Sequence, residues 1–338
     1  MTAPDRPVPF WKRPIRPAVA LWFIAPIIGE LVSGSAPLNE YISPFSILML
    51  GMLYGSGAIL IREFTVRLRK GWLSLLLLGL AYGIYEEGLV VRSFFDPNWV
   101  DLDNLGVYGR VAGVNWVWTE HLMIFHAVIS IMASITMAHI LFPARRSEPW
   151  VGTRGLTWNL FAFFAMLPIG ALLNAYDAPD AWLGASWLVI VLLVIAAWRA
   201  QSSLIPARPT ALPRPRRLWW IGLLGTFGHI FITYFTAEKG SPHFMVSMLI
   251  VALFDLSALW LILHSTANAS AWDDRHRFAL IAGALSVFLI LGPLTTNGQY
   301  PVMWFSNPVL LLLGWWIYRR VGRAVSAGAF SPSARPGD

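Results

Sequence analysis

No cysteine occurs in the 338 residues. That excludes a disulfide framework, a thiolate metal centre and a cysteine nucleophile. Charge is scarce as well: Asp, Glu, Lys and Arg make up 13% of the chain against 57% for hydrophobic residues. A soluble domain of this size with that balance would carry large exposed apolar patches. The apolar runs lack the strict alternation of barrel strands, so the backbone must satisfy its own hydrogen bonds as helices. The chain therefore reads as an all-α, polytopic integral membrane protein. Acids are fewer than bases, 18 against 25, yet the bases are scattered over short connections between apolar runs. They report membrane orientation, not a nucleic-acid surface.

Lys12, Arg13 and Arg16 precede the first apolar run, as in a secretory signal peptide. That run carries Glu30 and many further apolar runs follow it, so it is read as the first span. Runs that meet the criterion of about 20 residues fall near 17–35, 44–62, 71–92, 117–142, 155–175, 180–199, 217–236, 243–264, 276–294 and 301–318. This predicts about ten transmembrane helices. Basic residues concentrate in alternate connections: the N-terminal tail, 62–70, 143–154, 199–217, 265–277 and the C-terminal tail. Placing these in the cytoplasm leaves only Arg92, Arg110 and Lys239 outside, so both termini are predicted cytoplasmic, in a multi-pass protein of a prokaryotic cytoplasmic membrane. The expected organisation is helices 1–6 with the site over 1–199, a Pro/Arg-rich cytoplasmic linker over 200–216, helices 7–10 over 217–320, and a disordered tail over 321–338.

The third run contains two adjacent acids, Glu86 and Glu87. Ionised carboxylates are costly in hydrocarbon, so such a pair marks a functional site. Gly79, Gly83, Glu86 and Glu87 lie along one helical stripe at roughly 100° per residue, and its small residues let another helix approach closely. By the orientation above, Glu86 and Glu87 sit in the outer third of their helix. Glu120, His121 and His126 occupy the first turns of the next helix, at similar depth. His121 and His126 do not share a face, and the deeper His126 is expected to meet Glu86.

The connection Ser93–Trp116 mixes aspartates with aromatic residues and reads as a loop folding back over the site. Glu120, His121, Asn174, Asp96 and Trp116 are candidate substrate contacts. Glu30, His229 and Asp255 are further buried polar groups, whereas His264 and Asn268 fall at the opposite membrane face. Glu86 or Glu87 with His126 shows no third convergent metal ligand, so neither a metal nor another cofactor is expected.

The pair Glu86-Glu87 followed by Arg92, with His126 on the next helix, resembles the CPBP family of glutamic intramembrane endopeptidases, which includes the CAAX prenyl endopeptidases. That family's motifs are Glu-Glu-x3-Arg, Phe-x3-His and a later His-x3-Asn. Here four residues separate Glu87 from Arg92, Leu122 stands where the phenylalanine is expected, and His229 with Thr233 is the counterpart of the last motif on the outer side. The resemblance covers about 60 residues, Gly79 to Leu141. It implies a peptidase in which a glutamate of the pair Glu86 and Glu87 activates water with His126 and His229 assisting, the two acids sharing the duties or one of them holding Arg92. Expected partners are membrane lipids and a membrane-embedded peptide or protein substrate, with no nucleic acid. A proton-coupled transporter using Glu30, Glu86, Glu87, His126, His229 and Asp255 as a relay is the alternative. A non-catalytic membrane component is the third reading.

Overall fold

The computed structural model describes residues 16–36, 38–100, 102–174, 176–201, 213–266, 272–295 and 303–326. Helix α1 spans Pro17–Val32, its proline at the first turn where a missing N–H costs nothing. The short α2, Leu38–Tyr41, leads into α3, Pro44–Arg67. The start of α3 is fixed by Ser43, whose Oγ accepts the Ser46 N–H at 3.0 Å. Helices α4 (Trp72–Val90) and α5 (Trp116–Leu141) are joined by the long connection, which contains a two-residue hairpin of β1 (Arg110–Val111) and β2 (Val114–Asn115). Then follow α6 (Thr153–Leu173), α7 (Asp180–Arg199), α8 (Pro215–Lys239), α9 (Phe244–Thr266), α10 (Asp274–Thr295) and α11 (Met303–Ser326).

Among the described residues, eight helices, α3 to α10, are long and apolar enough to cross a membrane, and α1 is a shorter apolar helix. The chain is thus an all-helical, multi-pass membrane protein. The two expected spans outside that set are the first and the last. Helix α1 stops at Val32, and α11 carries Arg319, Arg320 and Arg323 in its second half. Helix α8 begins at Pro215, inside the stretch expected to be linker, while residues 202–212 of that stretch lie outside the described residues. Helix α11 continues to Ser326, past the expected boundary at 320. Residues 1–15 and 327–338, which include most of the two tails, also lie outside the described residues.

Helix α4 is the centre of the bundle: 72% of its apolar window is buried, against 11% for α6, α7 and α9. Glycine makes this possible. A β-carbon at Gly79 would come 2.8 Å from Ala127 Cα, and one at Gly83 would come 3.1 Å from Met123 Cα, so α4 and α5 meet almost backbone to backbone.

At the end of the bundle where α3 turns into α4, Arg62 and Glu63 are both buried. Arg62 Nη1 donates to Glu63 Oε1 at 2.5 Å and its guanidinium lies 3.7 Å over the Trp150 ring. It also donates to the carbonyls of Arg145 and Arg146 at 3.3 and 3.0 Å. Arg146 in turn pairs with Asp274 of α10 at 2.6 Å. This network fastens the α5–α6 loop to the bundle and leaves the opposite end to the acidic pair.

Candidate functional site

Four stretches of π-helical turn interrupt the first spans: Ile27–Val32, Gly51–Gly55, Tyr85–Val90 and His126–Ala133. Each holds a polar residue of one cluster: the half-buried Glu30 and the buried Tyr54, Glu86 with Glu87, and His126 with Ser130. In the third, the Val91 N–H reaches back five residues to the Glu86 carbonyl at 2.8 Å. Such turns insert a residue into the helix and recur at functional sites. The wider turn lets the side chains of both Glu86 and Glu87 reach the same imidazole.

The centre is compact. His126 Nε2 lies 2.9 Å from Glu87 Oε1, and Nδ1 lies 3.1 Å from Glu86 Oε2 and 3.1 Å from Ser130 Oγ. Glu86, Glu87 and His126 are 3%, 8% and 2% exposed. Glu86 Oε2 is close to the imidazole without a hydrogen bond to it or to any other side chain. Glu87 Oε2 is held from the other side, because Ser93 Oγ donates to it and Trp118 Nε1 donates to Ser93 Oγ at 3.1 Å. Around this core, Tyr54 and Tyr82 each place their ring centroids 6.0 Å from that of His126, and Tyr54 Oη donates to Glu30 Oε1 at 2.5 Å. Glu86, Glu87 and His126 each offer one ligand atom within 4.8 Å of the others. Three groups able to ligate a metal thus converge, because the widened turn brings in both acids.

Arg92 does not hold the glutamates. It adopts a left-handed backbone conformation, φ 62°, that ends α4. Its Nη1 donates to the Tyr176 carbonyl at 3.0 Å and lies 3.9 Å from Asp177. The reversal at Arg92 turns the chain so that the Phe94 N–H meets the Glu87 carbonyl at 3.4 Å, bringing Ser93 back to Glu87.

The connection after Arg92 is a packed cap. Phe94, Phe95, Leu102, Leu105 and Val114 are buried against Val117 and Trp118 of α5. Arg110 ties it together through the carbonyls of Phe95, Asp96 and Gly106 at 2.9, 3.1 and 3.0 Å. Asn115 Oδ1 accepts the Trp118 N–H at 3.0 Å and so starts α5. Asp96 accepts the Asn98 N–H at 2.8 Å in a local turn, and Trp116 Nε1 donates to the Val111 carbonyl at 3.2 Å. Both are cap-building residues in this arrangement. Asn174 donates to the carbonyls of Val90 and Gly170 at 3.1 and 3.0 Å, seating α6 on the end of the glutamate turn.

His121 and His229 belong to a second chain. His121 Nδ1 meets His229 Nε2 at 2.8 Å, and His229 Nδ1 meets Asp255 Oδ2 at 2.9 Å, so α5, α8 and α9 are linked through side chains. Both His229 nitrogens are occupied there, so His229 is not directed at Glu86. Phe125 stands between the two networks, its ring 6.4 Å from His121 and 5.2 Å from His126. Glu120 is half-buried and makes none of these bonds. His264 stacks on Trp260 at the far end of α9, away from Ser247, which touches Tyr108 of the cap; Asn268 lies outside the described residues.

Glu30 stands out in the sequence as an acid within an apolar run, whereas the tyrosines around it do not. Tyr82 stands four residues before Glu86, on the same helical face, which was the available signal.

No curated protein and no solved structure matches the chain. Over residues 19–330 it matches the family described as "Uncharacterized membrane protein family", and it belongs to that family.

Proposed function

We propose that the protein is an intramembrane hydrolase, a glutamic-type peptidase similar to the CPBP endopeptidases, acting on a membrane-embedded peptide or protein. The observation that carries this reading is the contact of His126 with both carboxylates, at 2.9 Å to Glu87 and 3.1 Å to Glu86, in an interior shielded from bulk water. Glu87 is engaged by Ser93 and His126, which suits an orienting role. Glu86 retains an oxygen with no hydrogen-bond donor, which suits a base for water. In the reaction, Glu86 takes a proton from water as the water oxygen attacks the scissile carbonyl carbon. The carbon–nitrogen bond then breaks and the same proton passes to the leaving amine, giving a carboxylic acid and an amine. His126 keeps the two acids apart and steadies the charge that develops between them.

The test is cleavage of single-span peptides in proteoliposomes. Wild-type protein cuts them, and folded Glu86→Gln and His126→Ala proteins do not. Equal cleavage by those variants would remove the reading.

A second reading, proton-coupled transport, is favoured by the Asp255–His229–His121 chain, since intramembrane acid and histidine chains serve as proton relays. It predicts pH-driven flux through proteoliposomes that Asp255→Asn abolishes while Glu86→Gln does not.

A further inference from the structure

We infer that Glu86, Glu87 and His126 bind a divalent first-row metal ion, with Zn²⁺ the best match. Three observations converge. The first is geometric: the three ligand atoms lie within 4.8 Å of one another and the His126 Nε2 to Glu87 Oε1 edge is 2.9 Å. Zinc bonds of about 2.0–2.2 Å set neighbouring ligands of a tetrahedron about 3.3 Å apart, so small side-chain adjustments close the site around an ion. The second is charge. Glu86 and Glu87 are buried together, while Arg92 is turned away to the Tyr176 carbonyl and Asp177. Two acids buried side by side need a cation or a proton, and an ion between them would serve both at once. The third is the Glu86 Oε2 atom, buried 3.1 Å from the imidazole without a hydrogen-bond donor.

The surroundings are those of a ligand set. A metal-binding histidine donates its second ring N–H to a fixed acceptor, and Ser130 Oγ stands 3.1 Å from His126 Nδ1, leaving Nε2 as the donor atom toward Glu87. Glu87 is oriented in the same way, since Ser93 occupies Oε2 and leaves Oε1 facing His126. One imidazole and two carboxylates form a nitrogen–oxygen set suited to Zn²⁺ or Mn²⁺, not to Cu⁺. Three protein ligands leave the fourth zinc position for water. The ion site stands on geometry alone; with an ion held, Glu86 would ligate it instead of acting as the free base, and the ion would activate the water by lowering its pKa, a role that rests on the hydrolase reading.

Full-length protein in detergent, stripped with chelator and dialysed against Zn²⁺, should retain one zinc per chain by elemental analysis. Glu86→Gln, Glu87→Gln and His126→Ala should each lose about tenfold or more of it, and Ser130→Ala should weaken binding by about tenfold. His264→Ala, at the opposite end of the bundle, should leave it unchanged. Where a ligand variant fails to fold, Co²⁺ titration of the wild-type chain replaces it: tetrahedral d–d bands support the site and their absence overturns it. Wild-type protein that retains no zinc, or folded ligand variants that retain as much as wild type, would also overturn it. Zinc bound at these residues in a protein that cleaves nothing sinks the hydrolase reading alone. Cleavage undiminished by chelation, with no zinc retained, sinks the ion site alone.

Discussion

His126 of α5 and Glu87 of α4 are joined by a 2.9 Å contact where their two helices are packed most closely, with Gly79 and Gly83 on the α4 side. The contact therefore depends on glycine as much as on the polar residues themselves. A side chain between the helices would part them before it touched the acids.

Gly79→Val tests this dependence. Its β-carbon would meet the Ala127 backbone at 2.8 Å, and backbone cannot move aside as a flexible side chain can. Overpacking of this kind costs about 1–3 kcal/mol, and thermal unfolding should show it together with loss of peptide cleavage. Gly314→Ala in α11 meets nothing within 4 Å and should be neutral or stabilising.

Ser93 links the cap to the acid pair, accepting from Trp118 and donating to Glu87. Ser93→Ala leaves a buried carboxylate oxygen and a buried indole N–H without that partner, a loss of about 1–3 kcal/mol. Chemical denaturation should register it, and Ser93→Thr, which keeps the hydroxyl, should recover most of it.

At the other end, Arg62 combines an ion pair with Glu63, two carbonyl contacts and the face of Trp150. Removing one partner of a buried pair costs about 3–5 kcal/mol, so Arg62→Ala should lower the folded yield sharply. Arg62→Lys should recover little, because an ammonium cannot supply the planar fork or the stacking. Fluorescence-detected size-exclusion chromatography measures both.

The contacts of the second polar chain fit one proton arrangement: a His229 Nδ1–H given to the Asp255 side chain leaves Nε2 as the acceptor for a His121 Nδ1–H. Nitrogen-15 spectra of histidine-labelled protein should show Nδ1–H tautomers at both residues. Asp255→Ala should shift the His229 and His121 signals and leave those of His126 in place.

The membrane class was legible from composition and the length of the apolar runs, and the alternating basic connections were enough to set Glu86, Glu87 and His126 at one level. The glycine stripe pointed to the close helix partner. Other features depend on tertiary geometry. A uniform 100° per residue hides the π-helical turns at Tyr85–Val90 and His126–Ala133, which is why both acids, and not one, reach the imidazole. Arg92 looks like a partner for Glu87 until its left-handed backbone ends the helix and turns the side chain toward Tyr176. The His121–His229–Asp255 chain requires α5, α8 and α9 to be neighbours, which no local pattern encodes. The first and last apolar runs are long enough in the sequence, but Val32 ends one early and the arginines of α11 dilute the other.

In the proposed hydrolysis, Glu86, Glu87 and His126 direct water onto a peptide bond inside the membrane. The most direct measurement is mass spectrometry of single-span peptides incubated with the reconstituted protein in water enriched in oxygen-18. The wild-type chain should give fragments whose new C-terminal carboxylate carries one oxygen-18 atom, and folded Glu86→Gln should give none. Absence of labelled fragments from the wild-type chain, or their appearance in equal amount with the variant, would contradict it.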